Sequence, residues 1–225
     1  MLRTFFKNNK HILFVLYLPI YMYCFGWLEA RNNVSFTPIQ CFIDDIIPFN
    51  EIFVIPYVMW FLYVGVVIVY LFFQKKHLED YYHCIITLIL GMSTCLFVYY
   101  IFPNEQNLRP ETFAHSNVLT DIVGFIYASD THTNVLPSIH VFNSIAIHVA
   151  LATSPKAKKI KWIRYGSLAL CSLICLSTMF LKQHSFLDVV TALALYMVYS
   201  SLVYKWIPKM LQKRKNEHKE DAVLS

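Results

Sequence analysis

Polar clusters interrupt an otherwise apolar chain, and two of them contain histidines placed for phosphoryl transfer. His184 and Asp188 are four residues apart, so on a helix they share one face, about 6 Å apart at a rise of about 1.5 Å per residue. Asp188 can then bind one ring nitrogen of His184 and leave the other free as a nucleophile. His140 can protonate the leaving oxygen as a general acid. These three side chains predict a catalytic site.

Three further residues predict a binding site for the phosphate group itself. The guanidinium of Arg109 can hold two phosphate oxygens at once, and Lys182 can add a point charge. Pro137 suits the first turn of a helix, where free backbone N–H groups and Ser138 together form an anion site. Positioning and charge neutralisation are most of what phosphoryl transfer requires.

Each motif also has a plainer interpretation. A single histidine at a helix end is usually a solvated or interfacial residue. Asp188 could form an ordinary helical pair, Pro137 and Ser138 could only begin a helix, and Arg109 could only anchor the chain at the interface. His148 is predicted to make a polar contact inside the helix bundle, with a substrate contact as the alternative. The loop residues His115, Asp121, Asp130 and His132 lack metal-ligand spacing such as HxxxH.

Transmembrane helices are the elements that must position these residues. The 225-residue chain is 57% hydrophobic and 15% charged, whereas soluble domains carry about a quarter charged residues. An apolar run of about 20 residues can cross a bilayer as a helix. We predict an all-α polytopic membrane protein, with one six-helix domain over residues 1–208 and a polar tail over 209–225. The six predicted spans are Ile12–Leu28, Ile52–Phe73, Cys84–Phe102, Leu136–Thr153, Trp162–Leu181 and Phe186–Ile207.

The distribution of basic residues predicts the orientation of these spans. All but three of the 19 Lys and Arg residues lie before the first span, between spans two and three, between span four and the first turn of span five, or at and after the end of the sixth. Short loops rich in Lys and Arg stay cytoplasmic, so both termini are predicted to be cytoplasmic. A nucleic-acid partner is not predicted, because the net charge of +5 is divided among short loops and a tail.

This topology places the three polar clusters at the same face of the membrane, which is the outer face. Arg109 follows the third span, His140 opens the fourth and His184 precedes the sixth. The two long connections lie on the same side. Within residues 29–51, the apolar and acidic stretch Ile39–Asn50 is predicted as a short interfacial helix. Residues 103–135 form the longest connection, contain no obvious strong helix, and are expected to be functional or disordered.

At these residues the chain resembles the type 2 phosphatidic acid phosphatase superfamily, which includes lipid phosphatases and vanadium haloperoxidases. The family pattern is K-x6-RP, then PSxH, then SR-x5-H-x3-D. Arg109-Pro110 matches the end of the first motif, Pro137–His140 match the second, and Ser177, His184 and Asp188 match the third. The resemblance covers about residues 100–195, the predicted catalytic part. The ordered set of motifs is more specific than any one of them.

The resemblance implies a role for each residue. His184 becomes the nucleophile that forms a phosphohistidine, Asp188 orients it, and His140 protonates the leaving group. Arg109 and Ser138 bind phosphate without a metal. Two family cations are absent, because Phe102 and Thr178 stand at the expected Lys and Arg positions. Lys182 lies one turn beyond Thr178, and we hypothesise that it compensates.

Three functions remain open at the level of the sequence. The first is hydrolysis of a lipid phosphate or diphosphate at the outer leaflet, such as phosphatidate, phosphatidylglycerol phosphate or a polyprenyl diphosphate. The second is transfer of a phospho-headgroup to a lipid alcohol, because the sequence also resembles a bacterial branch grouped with inositol phosphorylceramide synthase-like members. The third is a non-catalytic membrane protein. The chemistry of the histidines is common to the first two, so they differ only in the acceptor.

Overall fold

The computed structural model describes residues 16–74, 78–210 and 212, and these residues are mostly helical. Helix α1 covers Tyr17–Glu29, α2 covers Phe42–Ile46, α3 covers Val54–Phe72, α4 covers Leu78–Ile101, α5 covers Val118–Ser129, α6 covers Ile139–Thr153, α7 covers Lys161–Phe180 and α8 covers Phe186–Ser201. Short 3-10 turns at Glu51–Phe53 and Ala157–Lys159 precede α3 and α7, and a π-helical turn at Leu202–Trp206 follows α8. Two-residue strands β1 (Thr37–Pro38) and β2 (Asn104–Glu105) pair in parallel.

Within the described residues, four helices are long and apolar enough to cross a membrane. They cover Glu51–Phe72, Leu78–Ile101, Lys161–Phe180 and Phe186–Met210. The other two predicted spans correspond to α1, with 13 described residues, and α6, with 15 residues. At about 1.5 Å per residue, α6 is shorter than a hydrocarbon core of about 30 Å. Length and composition therefore support four membrane spans among the described residues, and the count of six stays a prediction.

Much of the charge pattern behind the predicted orientation lies outside the described residues. Both termini do, and so does most of the polar tail over 209–225. The basic residues outside the described part are Arg3, Lys7, Lys10, Lys75, Lys76, Lys213, Arg214, Lys215 and Lys219. The cytoplasmic placement of the termini therefore stays a prediction.

Helix α6 lies at the centre of the bundle and contacts α3, α4, α7 and α8. Its residue Phe142 is fully buried and packs directly against Gly91 on α4, where a β-carbon would overlap the phenylalanine ring. Only glycine permits so close an approach of the two helices. Because interiors are close-packed, α6 is held on several sides, and so is the histidine in its first turn.

The long connection 103–135 contains the helix α5, which the sequence analysis did not predict. Asn117 caps its first turn, because the side-chain oxygen accepts hydrogen bonds from the backbone N–H groups of Leu119 and Thr120. The Thr120 hydroxyl in turn binds the Asn117 N–H, which completes a capping box. An Asn-x-x-Thr pattern before an apolar run was therefore the available signal.

The connection 29–51 also has regular structure. Strand β1 joins it to the 103–135 connection through Thr37 and Asn104. The predicted short helix in this segment is present as α2, with five residues. Phe42 and Ile46, one turn apart on α2, are both exposed. Contact of this helix with a membrane interface stays a prediction.

Candidate active site

His184 and Asp188 form a direct pair at the start of α8. The Nδ1 atom of His184 lies 3.1 Å from Oδ2 of Asp188, and the Asp188 side chain is fully buried. The predicted helical face is not the cause, because α8 begins at Phe186 and His184 precedes its cap residue Ser185. Asp188 is the third helical residue, and its Oδ2 also accepts a hydrogen bond from the Ser185 N–H at 2.9 Å. The capping turn thus brings the pair together.

The end of α7 fixes the backbone of His184. Lys182 has a left-handed conformation with φ of 52°, the conformation that commonly terminates a helix. The chain then turns back, and the N–H groups of Gln183 and His184 both donate to the carbonyl oxygen of Thr178, at 2.9 and 3.0 Å. His184 is therefore held between the end of one helix and the beginning of the next.

His140 lies beside His184, although 44 residues separate them in the chain. The centroids of the two rings are 5.8 Å apart. Two aromatic side chains of α3 hold the His140 ring: Tyr57 stacks on it at 4.8 Å, and Trp60 lies at 4.5 Å with a tilt of 50°. Stacking of this kind favours a single ring orientation. Sequence analysis missed Tyr57 and Trp60, which are hard to distinguish from lipid-facing or core aromatic residues.

Ser138 connects the two histidine motifs. It caps α6 by accepting a hydrogen bond from the Val141 N–H, and its own N–H donates to the Asp188 carbonyl oxygen at 3.2 Å. Pro137 does not lie in the first helical turn as predicted. It precedes the cap residue Ser138, and its carbonyl oxygen accepts a hydrogen bond from the Tyr99 hydroxyl at 2.6 Å. The first turn of α6 therefore begins one residue after Ser138.

The side chain of Arg109 lies at the edge of this site. Its Nη2 atom donates to Oε1 of Gln183, the neighbour of His184, at 2.7 Å. The other donors of the two Nη atoms reach backbone carbonyl oxygens of Tyr127, Asp130 and Thr131. Burial lowers the pKa of Arg109, and the Asp130 carboxylate opposes this shift. Arg109 thus ties the 103–135 connection to the histidine turn.

The ammonium group of Lys182 is bound within the protein and does not lie open to a phosphate group. Its ammonium group donates to the backbone carbonyl oxygens of Asp44 and Ile47 at the end of α2. Burial lowers the pKa of Lys182, while Asp44 and Asp45 oppose the shift. Two of the three ammonium N–H donors of Lys182 are therefore engaged by backbone carbonyl oxygens.

Several buried polar atoms near the pair have no hydrogen-bond partner among the described residues. They are Nε2 of Gln183, Nε of Arg109, Nε2 of Gln106 and Oδ1 of Asp188. Buried donors without partners are uncommon and call for an explanation. Gln183 is 3% exposed and lies next to His184 in the chain, and Arg109 fixes its amide oxygen. Sequence analysis missed Gln183, because a lone glutamine carries no recognisable signal.

The remaining polar residues fall outside this cluster. Nδ1 of His148 lies 3.0 Å from the Ser167 hydroxyl of α7, which confirms a polar contact inside the bundle. His132 lies 3.6 Å from the Glu105 carboxylate in the loops. Within residues 16–74 and 78–210 no group of three or more His, Cys, Asp or Glu side chains could hold a metal ion.

Comparison with known proteins gives one match. Residues 105–211 match the model of the PAP2 superfamily. No curated protein and no solved structure matches the chain significantly. The matched range includes Arg109, Ser138, His140, Lys182, His184 and Asp188. This part of the chain is therefore similar to the PAP2 superfamily, whose members are generally phosphatases or phosphotransferases.

Proposed function

We propose that this protein is a membrane-embedded phosphatase that hydrolyses a lipid phosphate or diphosphate through a phosphohistidine intermediate. The observation that carries the proposal is the pairing of His184 with Asp188 beside the ring of His140. A nucleophile, the group that orients it and a proton donor are the set that covalent phosphoryl transfer needs. The apolar helices around them suit a substrate that stays in the bilayer.

In the first half-reaction, Nε2 of His184 attacks the phosphorus atom. A P–N bond forms while the P–O bond to the lipid alcohol breaks, and His140 transfers a proton to the departing oxygen. Asp188 holds Nδ1 of His184, so the other ring nitrogen carries the reactive electron pair. The negative charge of Asp188 also compensates the positive charge that develops on the ring.

In the second half-reaction, water replaces the lipid alcohol. His140 now accepts a proton from water, the water oxygen bonds to phosphorus, and the P–N bond breaks to release phosphate and regenerate His184. The proton that His140 gave in the first step is thereby restored. In this scheme none of the steps requires a metal ion, so turnover is expected to persist in the presence of a chelator.

The proposed phosphate-binding site contains few cationic side chains. Arg109 and Ser138 are assigned to it by position, and the free Nε2 donor of Gln183 supports a third contact beside His184. Amide N–H groups can hold phosphate oxygens, although each contributes less than a charged donor. Lys182 keeps at most one donor for phosphate beside its two carbonyl partners, so its proposed contribution to this site is small.

Replacement of His140 by alanine is expected to reduce kcat on a lipid phosphate about 10²–10³-fold, the usual contribution of a positioned general acid. His140 also accepts a proton in the second half-reaction, so the two substrates are compared by the rate of phosphoenzyme formation. The loss in this rate should shrink below about tenfold on p-nitrophenyl phosphate, because the nitrophenolate departs without a proton. Rapid-quench measurement on both substrates checks this, with His132→Ala in the loop as the matched histidine control. An equal loss in the rate of phosphoenzyme formation on both substrates would assign His140 to binding or packing and not to proton transfer to the leaving group.

The acceptor separates hydrolysis from transfer to a lipid alcohol. Both reactions share the phosphohistidine step, and His184 is only 8% exposed, which limits the access of bulk water. The alternative function is therefore transfer of a phospho-headgroup to a lipid alcohol, as in the inositol phosphorylceramide synthase-like members that the sequence resembles. We also propose that the protein lies in the plasma membrane with its site facing outward, because the distribution of basic residues predicts that orientation.

The decisive experiment offers the detergent-purified protein a panel of phosphatidate, phosphatidylglycerol phosphate and a polyprenyl diphosphate in the presence of chelator. Hydrolysis predicts free phosphate, and transfer predicts a new phospholipid when a lipid alcohol is added. Reactions should stop in His184→Gln and continue in His132→Gln. Absence of turnover on every substrate, with and without a lipid alcohol, would reject the enzymatic proposal.

A further inference from the structure

Asp44 is a buried acidic residue far from the histidine motifs in sequence. It lies in α2, within the 29–51 connection, and is 2% exposed. Its neighbour Asp45 is exposed and accepts a hydrogen bond from the side-chain amide of Gln40. A carboxylate is costly to bury unless several donors satisfy it. The partners of Asp44 therefore indicate what its burial accomplishes.

The carboxylate of Asp44 binds the first residues of α8, directly after His184. Oδ2 accepts a hydrogen bond from the Ser185 hydroxyl at 2.6 Å, and Oδ1 accepts one from the Phe186 N–H at 2.7 Å. Oδ2 also accepts from the Cys41 N–H at 2.8 Å within its own segment. Free N–H groups at a helix start favour an anion. Asp44 thus joins α2 to the turn that carries the nucleophile.

Three further hydrogen bonds connect the same two segments. The Lys182 ammonium group donates to the carbonyl oxygens of Asp44 and Ile47. The Asn50 N–H donates to the carbonyl oxygen of Phe180, the last residue of α7. The turn 181–185 is thereby bound on both sides of His184. We call this set of contacts, made by Asp44, Ile47 and Asn50, the α2 clamp.

We infer that Asp44 is a positioning residue for the nucleophile, acting through the first turn of α8. Asp188 reaches His184 because the Ser185 N–H and Asp188 close the capping turn, and Asp44 holds the other two polar groups of that turn. The inference rests on the proposed function. Loss of the carboxylate should let the turn shift, and a shift of about 1 Å at a catalytic group can reduce the rate about 10²-fold.

The kinetic test compares Asp44→Asn with Asp45→Asn in the full-length protein, on the best substrate of the panel. Asparagine keeps the size of Asp44 and one acceptor for the Phe186 N–H, so folding should survive. We expect kcat to fall about 10–100-fold in Asp44→Asn with KM changed less than about threefold, and both to stay unchanged in Asp45→Asn. Wild-type kcat in Asp44→Asn, or an equal loss in Asp45→Asn, would overturn the inference.

A second variant covers the case in which Asp44→Asn folds poorly. Ser185→Ala removes the hydroxyl that Asp44 binds, which also accepts the Leu187 N–H as the cap of α8, and we expect a smaller loss of kcat, about 3–10-fold. Because both changes break the same contact, the double variant should lose less than the product of the single losses. Multiplicative losses would count against a shared role and overturn the inference.

Hydrogen exchange separates failure of this inference from failure of the proposed function, because it needs no substrate. Faster exchange of the Ser185 and Phe186 amides in Asp44→Asn than in Asp45→Asn is expected, since a neutral acceptor holds the Phe186 N–H less tightly and the loosened turn weakens the bond from the Ser185 N–H to Asp188. Equal exchange in the two variants would refute the clamp even if the enzyme is active. Faster exchange in Asp44→Asn, together with a wild-type protein that turns over no lipid phosphate, would leave the clamp standing and reject the phosphatase proposal.

Discussion

Replacement of His184 by glutamine is expected to reduce turnover of a lipid phosphate about 10⁴-fold or more. We assign His184 as the residue that forms the covalent intermediate, and removal of a nucleophile costs more than removal of a binding group. Glutamine keeps a polar side chain of similar length, so the turn between α7 and α8 should persist. Steady-state release of phosphate measures the loss, with His132→Gln as the matched control.

Trapping of the intermediate makes this prediction specific to His184. Acid-labile phosphate should appear on the wild-type protein after rapid quenching with radiolabelled substrate and should be absent from His184→Gln. If the variant still carries acid-labile phosphate, another residue is the nucleophile. If the wild type turns over and never accumulates such phosphate under fast quenching, direct attack by water becomes the better mechanism.

Asp188→Asn is expected to reduce kcat about 10³–10⁴-fold, the second largest effect. Oδ2 of Asp188 now accepts from both the His184 ring and the Ser185 N–H, and an asparagine oxygen can keep both bonds. The substitution therefore removes charge more than geometry. An imidazole that gains positive charge on phosphorylation loses its compensating carboxylate. Rapid-quench measurement of phosphoenzyme formation should show that this step is slowed.

The capping role of Asp188 supplies the competing outcome. If Asp188 only closes the first turn of α8, Asp188→Asn should retain kcat within about tenfold, because the asparagine oxygen can still cap the helix. Asp45→Asn controls for the same chemical change at an exposed carboxylate. Melting temperatures of both variants in detergent show whether the loss of kcat comes without loss of the fold.

The candidate catalytic groups were predictable from the sequence because their arrangement is largely local. His184 and Asp188 are four residues apart, and Ser138 and His140 are two apart, so a single turn decides each pairing. Even there the detail differed. The sequence predicted a shared helical face, whereas the structure shows a capping turn in which His184 precedes α8. Both geometries bring residues four apart together. The predicted contact between His184 and Asp188 is therefore present, although the predicted helical face is not its cause.

Contacts between distant segments were not predictable from one sequence. The stacking of Tyr57 and Trp60 on His140, the use of Arg109 donors on loop carbonyl oxygens, and the direction of Lys182 all depend on how helices pack. A sequence reveals the charge of Arg109 and Lys182 and their order in the chain. It does not reveal which acceptors lie within about 3 Å once the chain has folded.

The sequence carries hydropathy and helical periodicity locally, and these two features predicted the membrane helices. The order of the histidine motifs can be read directly along the chain. The tertiary structure alone decided that the rings of His140 and His184 lie 5.8 Å apart, and that Asp44 binds the turn beside the nucleophile. The physical reason is that a helix forms through bonds between residues three to five apart. A site between helices depends on packing among residues tens to more than a hundred positions apart.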